Sequence, residues 1–242
     1  MKNTKKFLSE FKKKKKIATA VLFLITAACS HIPITKDRDP ELLLNEVCKQ
    51  GADVQEVRGS VWLKAKSLEA SGQFPATVVA KAPDQLQLEV TNLLGGTEAT
   101  IKISGNQFSI DIPHKKSRPA QETGSWGGIP LRWALDLFLG RIPCPKTSQI
   151  KPKLLTHSEK DELSVETLDE KFIYHFKNWG NSPWVDSLRW EKSGSVPMKV
   201  EFHFESPLDA HSGTDSSAGK WEAKSTRGEV KVRWKDRTAI PR

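Results

Sequence analysis

The feature of this chain that most restricts its fold is an alternation of apolar and polar residues, which begins near Val54. In residues 86–90, Leu or Val occupies every second position, and Gln and Glu lie between them. Because side chains alternate between the two faces of a β-strand, each such segment predicts a strand with one apolar face. Strands of this kind are typical of antiparallel sheets that bury one side. The same pattern recurs in residues 61–66, 99–104, 107–112, 163–167, 171–177, 187–191, 198–205, 221–225 and 229–235.

Two other segments predict α-helices. Asp39 and Pro40 form a helix start, because an aspartate cap followed by a proline suits the first turn of a helix. That helix should end at Gly51. The second helix lies between Pro130 and Gly140, where the sequence LRWALDLFL contains only an arginine and an aspartate as polar residues. A helix that is apolar nearly all round must be buried or must cover an apolar surface.

Together these elements predict an α+β fold in which a strongly curved antiparallel sheet holds the second helix in its concave side. The alternating segments indicate about ten or eleven strands. No repeat or linker divides the chain after the first helix start. Residues 40–242 are therefore expected to form a single domain, and residues 29–39, which are mostly polar, a tether in front of it.

The first 28 residues have the organisation of an export signal. A run of lysines at residues 12–16 precedes residues 17–28, an uncharged apolar stretch too short to span a bilayer. Ala27 and Ala28 lead directly into Cys29, as in bacterial lipoprotein signals, where the cysteine receives lipid and becomes the first mature residue. The alternatives are an ordinary cleaved signal or an uncleaved anchor. We expect a lipoprotein attached to its lipid through Cys29.

The export signal also accounts for the chain's positive charge. Residues 1–28 contain eight lysines and one glutamate, so they hold seven of the nine net positive charges. The remaining chain is nearly neutral, which argues against a nucleic-acid-binding surface. No second long apolar segment follows, so the lipid alone should hold the mature protein to a membrane.

The other two cysteines, Cys48 and Cys144, allow either a disulfide in an oxidising compartment or two free thiols. Their spacing favours neither. The cysteines and the scattered histidines show no metal-binding pattern, and no nucleotide-binding loop or catalytic triad stands out. We therefore expect no metal, no cofactor and no enzymatic activity.

Three segments carry a resemblance to a known family. Residues 57–60 read VRGS, residues 86–99 read LQLEVTNLLGGTEA, and residues 129–139 read IPLRWALDLFL and precede Gly140. This order resembles the outer-membrane lipoprotein receptor family, LolB, whose members are themselves lipoproteins. The resemblance implies an unclosed antiparallel half-barrel with an α-helical lid over a hydrophobic cavity.

The resemblance also implies a function. Such a protein receives acylated lipoproteins from a periplasmic lipoprotein carrier and inserts them into the outer membrane, where its own lipid anchors it facing the periplasm. Its partners would be that carrier, the lipoprotein cargo and outer-membrane lipid, and it would act as a monomer. Two alternatives stay open: a lipoprotein of the same fold that binds another lipid or amphiphile, and a structural envelope lipoprotein.

The loop at residues 92–96, Asn-Leu-Leu-Gly-Gly, is the sharpest local feature of the chain. Its glycines predict a turn, and leucines at the tip of a turn would be exposed. By the resemblance, Leu94 occupies the position that enters the bilayer. Leu93 replaces the family's usual proline and adds apolar surface to the predicted membrane insertion loop. The alternative is that one or both leucines fold back onto the core.

The apolar faces of the strands and of the second helix supply candidate residues for the lipid cavity. The same residues could instead fill an ordinary core, and the pattern alone does not separate these roles. The candidates are Leu86, Leu88, Val90, Ile101, Ile103, Phe108, Ile110, Leu131, Trp133, Leu135 and Phe138.

Overall fold

The structure is a computed structural model and describes residues 38–67, 71–113, 120–126, 128–146, 151–156, 161–179, 182–205 and 217–242. The predicted export signal, the lipid attachment site at Cys29 and the tether up to residue 37 lie outside the described residues.

Two helices form where the sequence predicts them: α1 (Pro40–Lys49) and α2 (Leu131–Phe138). The Asp39 carboxylate caps α1 and accepts hydrogen bonds from the backbone N–H groups of Glu41 at 2.7 Å and Leu42 at 3.1 Å. These bonds satisfy donors that the first turn of a helix leaves without partners. Within the described ranges, no helix is long and apolar enough to cross a membrane.

Fifteen strands lie within the described part of the chain. They are β1 (Val54–Ser67), β2 (Ser71–Lys81), β3 (Gln85–Thr91), β4 (Thr97–Ser104), β5 (Gln107–Asp111), β6 (Ala120–Thr123), β7 (Ser125–Trp126), β8 (Ile129–Pro130), β9 (Lys151–Thr156), β10 (Asp161–Glu166), β11 (Glu170–Trp179), β12 (Ser182–Lys192), β13 (Met198–Phe204), β14 (Lys220–Ser225) and β15 (Gly228–Pro241).

Thirteen of these strands form one antiparallel sheet in the order β6-β5-β4-β3-β2-β1-β15-β14-β13-β12-β11-β10-β9. We call β1–β6 the N-terminal arm and β9–β15 the C-terminal arm. The two arms join where β1 pairs with β15, and the edge strands β6 and β9 are not paired with each other, so the sheet is open. The short strands β7 and β8 pair separately. The predicted unclosed antiparallel architecture is confirmed.

The predicted number of ten or eleven strands was too low. The alternation missed β2, β9 and the short strands β6, β7 and β8. Strand β2 contains Gly72 and Pro75, which are poor strand formers, and β9 contains Pro152. Proline has no backbone N–H to donate within a sheet. Pro75 is tolerated because it pairs with β1 alone; the pairing of β2 with β3 begins at Ala76. Strands of two to four residues are too short to show a period.

Helix α2, which we call the inner helix, is buried on most of its surface, as its apolar sequence predicts. Its Trp133 contacts the rings of Phe172, Trp190 and Phe202 edge-on, with the Trp190 ring centroid 4.4 Å away. Its Phe138 contacts two further rings in the same manner, those of Trp221 and Trp234. All five rings belong to the C-terminal arm, so aromatic packing fixes the inner helix against that arm.

A disulfide between Cys48 and Cys144 joins the end of α1 to the segment that follows the inner helix. Arg141 strengthens this junction, because its Nε donates to the Gly51 carbonyl at 3.0 Å and its Nη2 donates to the Val54 carbonyl at 2.6 Å. Of the two possibilities that the sequence left open for these cysteines, the structure therefore has the disulfide.

Candidate functional site

The loop between β3 and β4 presents its two leucines to solvent. The side chains of Leu93 and Leu94 are 84% and 97% exposed, whereas most of the leucines that the structure describes are buried. Neither residue folds back onto the core, which was the alternative to exposure. We call Leu93 and Leu94 the leucine tip.

Asn92 holds the leucine tip in a defined conformation. Its Oδ1 accepts hydrogen bonds from the backbone N–H groups of Leu94 at 3.0 Å and Gly96 at 2.9 Å. Its Nδ2 donates to the carboxylate of Glu98 at 2.9 Å. Gly95 adopts a φ of 88°, which favours glycine, and its N–H donates to the Asn92 carbonyl. The loop is therefore cross-linked by its own polar groups while its apolar side chains point outward.

A second feature is a cavity of about 700 Å³ between the two arms, which we call the inter-arm pocket. Its apolar walls come from Ile103 of the N-terminal arm, Leu131 and Leu135 of the inner helix, and Trp190 and Met198 of the C-terminal arm. In a flat sheet, β4 and β12 would lie seven strand spacings apart, or about 34 Å. Because both line one pocket, the sheet must be strongly curved around the inner helix.

The rim of the inter-arm pocket is charged. Arg132 of the inner helix donates from Nη2 to the Glu170 carboxylate at 3.1 Å, and its guanidinium carbon lies 4.9 Å from the centre of the Trp133 ring. The carboxylate of Asp136 lies 3.7 Å from Nη1 of Arg141. Burial raises the pKa of Asp136, although the positive charge of Arg141 acts in the opposite direction. The other charged residues at the rim are Asp84, Lys146 and Lys192.

Only part of the predicted cavity lining reaches the inter-arm pocket. Ile103, Leu131 and Leu135 line it. The other candidates pack into the hydrophobic core away from its walls: Leu86, Leu88, Val90, Ile101, Phe108, Ile110, Trp133 and Phe138. Sequence reasoning missed Trp190 and Met198 as wall residues, although Trp190 lies on the apolar side of a predicted strand. It noted Arg132 as one of two polar residues in an apolar helix, but without a role.

The leucine tip and the inter-arm pocket lie at opposite ends of the same strands. Strand β4 begins beside the tip at Thr97 and ends at Ser104, next to the pocket residues Gly105 and Asn106. Seven residue steps of about 3.4 Å place the two ends about 20–25 Å apart. An apolar contact point and a cavity are therefore held apart by a rigid hairpin.

Comparisons with known proteins bear on the fold. No protein-family model matches the sequence, and a search of curated proteins finds no match. Among solved structures, a LolA superfamily protein from Nitrosomonas europaea is similar over 85% of this chain and 95% of its own, with 10% identity and a TM-score of 0.52. The fold is LolA-like.

A second solved structure agrees with this fold. A DUF1329 family protein from Desulfovibrio piger is similar over 83% of this chain and 91% of its own, with 7% identity and a TM-score of 0.54. At this level of identity the similarity concerns the path of the backbone alone. Function must therefore be argued from the leucine tip and the inter-arm pocket.

Proposed function

We propose that this chain is an outer-membrane lipoprotein that receives acylated lipoproteins from a periplasmic carrier and inserts them into that membrane. The observation that carries the proposal is the leucine tip, because two almost fully exposed leucines are held on a loop that Asn92 braces. The bracing supplies the rigidity that a proline would give at the position of Leu93. A side chain that must enter a bilayer benefits from such preorganisation, since less entropy is lost on contact.

The leucine tip can hold the protein to a membrane only weakly. Burial of one leucine side chain contributes about 1.5–3 kcal/mol, so two contribute roughly 3–6 kcal/mol. Stable attachment of a peripheral protein takes more than one such signal. The proposed lipid on Cys29 supplies permanent attachment, while the leucine tip makes a local, reversible contact with the bilayer.

The position of the inter-arm pocket suits delivery from a soluble carrier. When the leucine tip touches the membrane, the far end of the β3–β4 hairpin and the pocket beside it face the aqueous side. A carrier can approach that side without meeting the bilayer. As the proposed lid, the inner helix would stay on the C-terminal arm, and acyl chains would enter on its other side, where Leu131 and Leu135 line the pocket. Direction would come from differences in affinity among carrier, receptor and membrane.

A second function is favoured by the size of the pocket and by the aromatic packing of the remaining interior. A volume of about 700 Å³ falls within the range of about 300–1,000 Å³ that is usual for sites of a single small ligand. Aromatic side chains fill much of the remaining interior. These observations favour a lipoprotein of the same fold that binds one smaller amphiphile rather than a triacylated anchor.

A transfer assay tests the proposal. Residues 30–242, which contain every described element, would be mixed with a carrier loaded with an acylated lipoprotein, and liposomes would then be added. We expect the protein to accept the cargo and release it to liposomes. Leu94→Glu should accept cargo but release it at least about tenfold more slowly, because it loses the apolar contact of one leucine.

Leu42→Glu is the matched control, since Leu42 is 64% exposed on α1 and belongs to neither candidate site. It should transfer cargo like the unchanged protein. If the unchanged protein never accepts cargo, the receptor function is wrong and binding of another amphiphile becomes the better account. If both variants slow release equally, the leucine tip has no special role.

A further inference from the structure

Arg132 stands where the apolar wall of the inter-arm pocket meets its charged rim. Its neighbour in sequence, Leu131, and Leu135 one turn later form part of the wall. Of the five N–H groups of its guanidinium, one contacts a protein acceptor within the described residues, the Glu170 carboxylate at 3.1 Å. Arg132 Nε is buried and has no hydrogen-bond partner there. The remaining N–H groups of Nη1 and Nη2, which have no protein acceptor in the described residues, are therefore the ones available to a ligand.

Two lysines extend the positive side of the rim. Lys192 lines the pocket and is paired with Asp169, whose carboxylate is 3.4 Å from Lys192 Nζ. Lys146 also lines the pocket, is exposed, and has no ion pair within the described part of the chain. Together with Arg132, these side chains place three cationic groups around one opening.

The carboxylates at the rim are mostly engaged by other groups. Glu170 accepts from Arg132, and Asp136 faces Arg141. Burial raises the pKa of Asp136, so its negative charge is disfavoured there. Asp84 lies on the exposed turn between β2 and β3. Arg132 and Lys192 are each paired with one carboxylate, whereas Lys146 has no ion pair in the described part of the chain. An anion that enters the pocket therefore meets Lys146 and the N–H groups of Arg132 that Glu170 does not occupy.

We infer that the inter-arm pocket binds a single-chain amphiphile with an anionic oxygen head group, a carboxylate or a phosphate. Arg132 binds the head group, because a guanidinium fork matches the geometry of such oxyanions. The chain lies against Leu131, Leu135 and Trp190. This inference rests on the second proposed function, the binding of one smaller amphiphile, and names the chemistry of its head group; the amide and ester groups of a triacylated cysteine carry no anionic oxygen. It names a fatty acid or lysophospholipid as a second ligand.

The inference predicts opposite changes in the affinity for anionic amphiphiles when Arg132 and Glu170 are replaced. Arg132→Met should weaken binding of anionic amphiphiles about tenfold or more and leave neutral ones unchanged, because it removes a charged hydrogen-bond donor. Glu170→Gln should strengthen anionic binding several-fold, because it removes the carboxylate that competes for Arg132. A purely structural role of the pair would weaken binding of every amphiphile in both variants.

The experiment uses residues 30–242 and four probes below their micellar concentrations: palmitate, palmitoyl lysophosphatidate, monopalmitoyl glycerol and inorganic phosphate. Chain-brominated forms of the lipids quench tryptophan emission on contact, so the dissociation constant is read directly. Trp190→Phe should lose most of the quenching, which places the chain in the inter-arm pocket. Arg58→Met is the control, because Arg58 is an exposed residue of β1 that does not line the pocket.

We expect the two anionic lipids to bind about tenfold more tightly than monopalmitoyl glycerol, and inorganic phosphate not to compete with them. Competition by inorganic phosphate would show that free phosphate, not a lipid head group, is the ligand. Equal affinities for the three lipids, no quenching at all, or weaker anionic binding by Glu170→Gln would overturn the inference. The lipoprotein transfer assay is independent, so each of the two proposals can fail while the other stands.

Discussion

The strands of both arms alternate apolar and polar residues and bury their apolar faces. The side chains on those buried faces differ between the arms. Among the N-terminal arm residues whose burial is described, the buried ones are aliphatic except for Phe108. Those of the C-terminal arm include many rings, and the inner helix docks its own two rings on them. The inner helix is thus fixed to the C-terminal arm. The inter-arm pocket opens on the other side of the helix, where Leu131 and Leu135 line it together with Ile103 of the N-terminal arm. An alternating pattern shows which face is buried, but not what covers that face.

The largest effect on stability is expected from the disulfide, which covalently ties α1 to the segment that follows the inner helix. The linked residues Cys48 and Cys144 are 96 positions apart. Replacing both by serine should lower the free energy of unfolding by about 4–5 kcal/mol, because a long loop in the unfolded chain is no longer closed. Urea unfolding with and without reductant checks this. Reductant should leave the double variant unchanged, and a loss below about 1 kcal/mol would contradict the prediction.

The next prediction compares the stability contributed by the two sides of the inner helix. Trp133→Ala should lower the free energy of unfolding by about 3–5 kcal/mol, because it removes a side chain packed against three rings of the C-terminal arm. Leu135→Ala should cost only about 2 kcal/mol, because that leucine already borders an open pocket. The same denaturation measurement compares them. If Leu135→Ala proves the more costly change, the pocket side of the helix is packed and our comparison of the arms is wrong.

How much could be foreseen from the sequence differs between these regions. The alternation identified β3, β4 and β5 because each places apolar residues on one face only, and the apolar sequence of the inner helix revealed its burial. The wall formed by Trp190 and Met198 could not be foreseen, because it depends on how far the sheet curves. The disulfide could not be foreseen either, since the distance between two cysteines far apart in sequence depends on the whole chain path.

A smaller effect concerns the pH dependence of stability at the pocket rim. Burial raises the pKa of Asp136 in the folded protein, so the folded state binds its proton more readily than the unfolded state. The contribution of this group to stability therefore increases as pH falls through the raised pKa, and is lost as pH rises. Asp136→Asn should be more stable than the unchanged protein at about pH 7, and this advantage should shrink at about pH 4.

Urea unfolding of both proteins at the two pH values checks this prediction. The opposite trend is expected from the exposed Glu166, whose hydrogen bond with Lys171 lowers its pKa, so Glu166→Gln is a useful comparison. If Asp136→Asn lowers stability at neutral pH, the ion pair with Arg141 outweighs the cost of burying the carboxylate.

The smallest effect on stability is expected at the leucine tip. Leu94→Glu should change the free energy of unfolding by no more than about 0.5 kcal/mol, because the side chain is almost fully exposed. Leu88→Ala, on the preceding strand, should cost about 2–5 kcal/mol, because that leucine is fully buried. Thermal or urea unfolding distinguishes the two residues. A large loss in Leu94→Glu would show that the tip serves the fold, which would weaken its assignment to the membrane.

The most direct test of the account is to ask which end of the β3–β4 hairpin enters a bilayer. With Cys48 and Cys144 joined in a disulfide, residues 30–242 have no other cysteine, so Leu94→Cys or Asn106→Cys gives one site for an environment-sensitive fluorophore. On addition of liposomes, the label at position 94 should brighten and shift to the blue, while the label at position 106, beside the inter-arm pocket, should not change. A response at position 106 alone, or at neither position, would contradict the proposed orientation.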